Sequence, residues 1–153
     1  LNPYKFIHSY INIPDSCSRD SLFQSEARRC KHILDIVDKN KNDRHFCVFD
    51  ELYSGTNPYE AVSNAYGYLD YLIKNKNVKI ILTTHYIKLC KLFRKNKDIK
   101  NYNMETFINN HISNNTYKVV SGYSKTKGGI AVLKSLNYPE NIIIEAEKVL
   151  KNI

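Results

Sequence analysis

The sequence predicts an α/β fold, a mostly parallel sheet flanked by helices, and two segments carry that expectation. His45–Pro58 reads HFCVFDELYSGTNP: an apolar run, Phe46 to Phe49, ends in the carboxylate pair Asp50-Glu51 before a Ser-Gly-Thr turn. Lys79–Tyr86 reads KIILTTHY, a second apolar run that ends in polar residues, with His85 just past it. Between Asp50 and His85 there is room for one turn, one helix and one strand, the content of a right-handed βαβ crossover. Such a crossover brings His85 out beside Asp50 on the same edge of the sheet, where α/β proteins place their chemistry. Two adjacent carboxylates there suit nucleotide hydrolysis. The first coordinates magnesium and the second orients or deprotonates the attacking water. The plainer reading, in which the acidic pair caps a helix and His85 ends a strand, does not account for that convergence.

The remaining elements follow in chain order. Tyr4–Asn12 alternates loosely and reads as a strand, followed by a loop over Ile13–Asp20. From Ser21 to Lys39 the apolar residues Leu22, Phe23, Ala27, Cys30, Ile33, Leu34 and Val37 recur at helical steps, with Ser21 or Asp20 as N-cap. Lys39–Arg44 is a solvated turn into the first core strand. Pro58 stands where a helix can begin, and Tyr59–Lys74 carries an apolar stripe from Ala61 to Ile73. Ile87–Phe93 reads as a short helix and Arg94–Lys100 as a charged connector. Tyr102–Ile108 and Thr116–Ser121 suggest an antiparallel pair around a turn at Asn109–Asn115. Gly128-Gly129 opens a short helix over Ile130–Leu136, Asn137-Tyr138-Pro139 turns the chain, and Glu140–Lys151 forms a last helix. A division at 127/128 separates that helical tail from the rest.

Composition sets the outer limits. The chain has 153 residues, enough for a real core. No apolar run approaches the roughly 18 residues of a membrane-spanning helix. The first residues lack the charged, apolar and small-residue succession of a signal peptide. The chain begins at Leu1 rather than Met, and it is expected to be a piece of a longer protein. Cys17, Cys30, Cys47 and Cys90 are widely spaced, without a CxxC or zinc-ligand pattern, which suggests free thiols in a reducing, intracellular setting. The formal charge of +8 invites a nucleic-acid partner. Yet only five of the 23 basic residues are arginine, the better reporter of phosphate and base recognition. Lys, Asn, Ile and Tyr share A+T-rich codons, and gene composition explains the lysines as well.

Taken together, Asp50-Glu51, Ser54-Gly55-Thr56 and Thr83-Thr84-His85 resemble the ATPase domain of MutS-family DNA mismatch-repair proteins, which are ABC-type P-loop NTPases. The family order is a signature segment, a Walker B strand ending in Asp-Glu, a Gly-Thr turn, then Thr-His-Tyr closing the next strand. Here these stand as Ser18–Leu34, Phe46–Pro58 and Thr83–Tyr86. The tail is similar too, with Gly128-Gly129-Ile130 followed by Leu136, Pro139 and Ala146. The resemblance runs from Phe6 onward. It implies that Asp50 holds Mg²⁺ through its water shell, that Glu51 is the general base and that His85 contacts the γ-phosphate. It places Gly55 and Thr56 in the ATP-binding turn, with Gly55 approaching a partner subunit. Ser21, with Ser18 and Arg19 of the same segment, would meet the ATP bound in the opposite subunit, because helix N-termini favour anions. The C-terminal helices, residues 128–153, would be the helix-turn-helix through which a homodimer or a MutS-like partner assembles. Mismatched double-stranded DNA would be met by domains outside this chain, with ATP binding and hydrolysis switching the DNA clamp.

Three departures from the family pattern carry consequences. Arg19 replaces the usual Gly of the signature segment, the Thr-Phe-Met-Val-Glu run reads Leu22-Phe23-Gln24-Ser25-Glu26, and Ser54 stands where Arg commonly precedes the turn glycine. The segment is most similar to divergent MutS-like proteins of large DNA viruses. No Gly-x-x-x-x-Gly-Lys-Ser/Thr loop occurs, and the five glycines are not placed to make one. The phosphate loop is expected upstream of Leu1, so this chain alone is expected neither to hydrolyse nor tightly to bind ATP. Two alternatives stay open: a non-catalytic dimerisation module that kept the fold, and another ABC-type DNA-repair ATPase. The latter would carry a Ser-Gly-Gly signature, which is absent here.

Overall fold

A computed structural model describes residues 2–11, 21–109, 112–124 and 128–152. The chain forms two units, Leu1–Asp98 and Ile99–Ile153. Among the described residues the two late strands pair with each other, in a sheet separate from the parallel one.

The first unit is a three-stranded parallel sheet in the order β1 (Phe6–Tyr10), β2 (His45–Asp50), β3 (Val78–Thr83). Its crossovers are α1 (Leu22–Lys39) and α2 (Pro58–Ile73), and α3 (Ile87–Phe93) follows β3. Ser21 is the N-cap of α1 in a capping box with Gln24, and Asn57 caps α2 with Pro58 in the first turn. Both crossovers step in the same direction across the sheet, so a common right hand puts both helices on one face. The Tyr68 hydroxyl donates to the Cys30 carbonyl oxygen at 3.0 Å and clips α2 to α1. Under the helices lie His8, Tyr10, His45, Cys47, Phe49 and Val78, packed against Cys30, Ile33 and Val37 of α1 and Ala61, Ala65, Leu69 and Leu72 of α2. The opposite pleat carries Ile7 and Ile81, 75% and 55% exposed. Among the described residues the helices cover one face of this sheet.

The second unit pairs β4 (Tyr102–Asn109) with β5 (Ile112–Ser121) and ends in α4 (Gly129–Ser135) and α5 (Glu140–Asn152). Asn109 pairs with Ile112, so β5 begins earlier than the Asn-rich sequence suggests; polar side chains do not prevent backbone pairing. A register shift interrupts the ladder between Met104 and Thr106. Asn137, at φ 56°, turns the chain between α4 and α5, and Lys134 pairs with Glu147 at 2.7 Å.

Cys30, Cys47 and Cys90 are thiols not joined in a disulfide, while Cys17 lies outside the described residues. Burial pushes the Cys30 thiol up to about 11 and the Cys47 thiol up to about 12, so both stay protonated and unreactive at neutral pH. No described helix is long and apolar enough to cross a membrane.

Candidate functional site

The carboxyl ends of β2 and β3 bring the sequence-predicted residues together. Asp50 is in register with Thr83, and the Thr83 hydroxyl donates to Asp50 Oδ1. Glu51 N–H donates to the Thr83 carbonyl at 3.1 Å, which fixes the chain where it leaves the strand. His85 Nδ1 then lies 3.3 Å from Glu51 Oε1, with both side chains more than half exposed. The Thr84 hydroxyl accepts from Tyr86 N–H at 3.0 Å and ends β3 in a local turn. The His85 and Tyr86 rings are 4.2 Å apart between centroids. The result is an open acidic edge with a histidine beside it.

The turn after β2 is unusual in its backbone. Glu51 at φ 51° and Tyr53 at φ 61° both occupy the left-handed region that non-glycine residues rarely enter. Between them Leu52 is buried, and Tyr53 N–H donates to the Tyr10 hydroxyl at 3.2 Å. Burial, and secondarily the neighbouring Glu26 carboxylate, raises the Tyr10 phenol well above its ordinary pKa, so it remains a neutral partner. Gly55 follows with almost no room: a Cβ there would sit 2.7 Å from Phe23 N and 2.8 Å from Leu22 Cγ. The close approach that Gly55 makes in this structure is thus to α1 of its own chain. The Thr56 hydroxyl donates to Glu60 at 2.7 Å and so faces the first turn of α2.

The sequence reading gave no role to Glu26, although the structure puts it at the centre of this arrangement. It is 2% exposed and accepts from Ser54 N–H, the Ser54 hydroxyl and Gly55 N–H at 3.0, 2.9 and 3.0 Å. The signal was present: Glu26 is in helical phase with Leu22, Cys30, Ile33 and Val37, on the buried stripe of α1. Ser21 is described as the α1 cap, its hydroxyl accepting from Gln24 N–H at 3.4 Å. Ser18 and Arg19 lie outside the described residues.

The donor set can be compared with a magnesium ion. Among the described residues no group of three or more His, Cys, Asp or Glu side chains forms a metal cage. Magnesium does not need one, because it keeps several waters and takes one or two carboxylates together with phosphate oxygens. Asp50, an exposed hard-oxygen ligand oriented by Thr83, fits that mode of binding.

The known proteins similar to this chain are mismatch-repair proteins. The DNA mismatch repair protein MutS of Persephonella marina is 33% identical over 135 residues, covering 87% of this chain and 16% of the relative. MutS of Aquifex pyrophilus is 32% identical over 133 residues, again 87% of this chain and 15% of the relative. MutS of Clostridium tetani is 30% identical over 141 residues, 91% of this chain and 16% of the relative. The chain therefore spans about 15% of the length of these relatives. The family model described as MutS domain V matches residues 1–153, and the chain with its Asp-Glu and Thr-His strand ends belongs to that family.

Proposed function

We propose that this chain supplies the hydrolytic half of an ATP site in a MutS-type mismatch-repair protein, where ATP binding and hydrolysis switch a mismatch-binding DNA clamp. One observation carries the reading: Asp50, Glu51 and His85 converge at one edge of the sheet, with Glu51 and His85 3.3 Å apart. Asp50 would hold Mg²⁺ through water. A bound Mg²⁺ ion neutralises charge on the phosphates during transfer. Glu51 would take the proton of the attacking water, and His85 beside it would meet the γ-phosphate. Ser21, with Ser18 and Arg19, would face the ATP of a partner subunit at the N-terminus of α1. The α4–α5 pair would supply the dimer contact, and mismatched DNA would be met by other domains of the full-length protein.

Glu51→Gln in the full-length protein tests this. The amide keeps the shape but cannot accept the water proton, while Asp50 is untouched. Hydrolysis should fall about 10²–10⁴-fold with Mg-ATP binding retained. Unchanged turnover would refute the assignment.

A further inference from the structure

We infer that Glu26 is a positioning residue for the catalytic turn: its buried carboxylate holds Glu51 in the conformation that faces His85. The inference rests on the ATPase reading above and adds a residue to it. Glu51 leaves β2 in a left-handed conformation, and Tyr53 adopts another two residues later. Each such conformation carries a cost that surrounding contacts must over-determine. On the strand side the anchor is Glu51 N–H to the Thr83 carbonyl. On the far side Tyr53 N–H is held by the Tyr10 hydroxyl. Directly beyond it, Glu26 takes three hydrogen bonds from Ser54 and Gly55. Both carboxylate oxygens are used: Oε1 receives both Ser54 donors and Oε2 receives Gly55 N–H.

The packing shows why this residue and this turn belong together. Gly55 lies so close to Phe23 N and Leu22 that any side chain there would push the turn off α1. Only with the backbone at that distance can one carboxylate reach two consecutive N–H groups. Gln has one oxygen to offer in place of two, and its amide would set N–H against N–H. A Glu26→Gln protein thus keeps the volume of the side chain and loses the clamp. The turn then has freedom to relax at Tyr53 and Glu51, and the Glu51 carboxylate drifts from the water it must orient. Misplacement of about 1 Å costs up to about 100-fold in rate.

The test is a double-mutant cycle in the full-length protein, with steady-state ATP hydrolysis and thermal melting measured on each variant. Glu26→Gln is expected to lower kcat about 10- to 100-fold while KM for ATP stays within about twofold. Combined with Glu51→Gln it should cost no further rate, because Glu26 acts through Glu51. If Glu26→Gln lowers rate by the same factor in both backgrounds, or leaves kcat unchanged, the inference is wrong. If Glu51→Gln itself has full turnover, the ATPase assignment fails, and that outcome is visible without Glu26. Should Glu26→Gln not fold, Ser54→Ala removes one donor alone. It should lower kcat several-fold in the Glu51 protein and have no effect in the Glu51→Gln protein. A Ser54→Ala enzyme with unaltered kcat then overturns the inference.

Discussion

His8 and His45 show how single residues set the response of the first unit to pH. Their rings stack at 5.3 Å between centroids, and His8 Nε2 is 3.0 Å from His45 Nδ1. His45 Nε2 lies 3.0 Å from the Asn40 carbonyl, which can only accept, so that nitrogen carries the His45 proton. His45 Nδ1 then accepts from His8 Nε2–H, and the neutral pair is satisfied. Among the described residues, the charged or titratable groups that act on an added proton at His8 are His45 of β2 and Arg29 and His32 of α1, all of which disfavour it. Burial first, and then those three groups, hold His8 below its ordinary 6.5. A histidine depressed in the folded state binds its proton more readily when unfolded. Its contribution is full above 6.5 and is lost as pH falls from there towards the folded value. The denaturant midpoint should therefore drop between about pH 7.5 and about pH 5.5, where few other side chains titrate. His8→Gln keeps an N–H donor for His45 and removes the titration, so its midpoint should be flatter over that range. Equal slopes in the two proteins would assign the acid sensitivity elsewhere.

At the scale of the element, the sheet of the first unit shows an apolar pleat to solvent. The register places Ile7 beside Phe46, Ser9 beside Val48, and Val48 in turn beside Ile81, on the side away from α1 and α2. Parallel sheets ordinarily bury both faces, and exposed apolar pleats promote association. Replacing Ile7 and Ile81 together by Lys should raise the concentration at which the 153-residue chain stays monodisperse in light scattering. Its stability should change by no more than about 1 kcal/mol, since exposed positions tolerate substitution within about 0.5 kcal/mol each. A large loss of stability would mean that the pleat is packed. These strands were legible in the sequence, the first from its loose alternation and the other two as short apolar runs, as were α1 from its apolar steps and α2 from Pro58. Asp50 and His85 were legible as neighbours because a crossover of that length has one common hand. Other features were not. A charge in a helix reads as solvated, so Glu26 stood unassigned until its two backbone donors were seen in space. The uncovered pleat was hidden because a short apolar run does not say which of its faces is covered. The start of β5 was missed because Asn and Ser suggest turns even where the backbone is paired.

For the molecule as a whole, the last question is what the tail helices do. Leu133 and Ile143 are half-buried within the second unit, whereas Val132, Leu136, Ile142 and Val149 are 50%, 64%, 47% and 56% exposed. α4 has seven residues and α5 has thirteen with none fully buried, so neither draws much stability from its own unit. Exposed apolar side chains on two adjacent helices suit a second copy of the chain, and a two-fold contact would use each of them twice. An interface of that kind buries about 1,600 Å² in total, which two such helices from each copy approach only if both take part. The informative substitutions are consequently the exposed ones, because Asp at Leu133 or Ile143 would also disturb the α4–α5 packing. Val132→Asp combined with Val149→Asp should leave the full-length protein folded by circular dichroism and shift it from dimer to monomer in sedimentation. Each substitution acts twice in a symmetric contact and puts uncompensated charge against an apolar surface, so dimer affinity should fall at least about 100-fold. An unchanged dimer carrying both aspartates would place the contact on another surface of the protein.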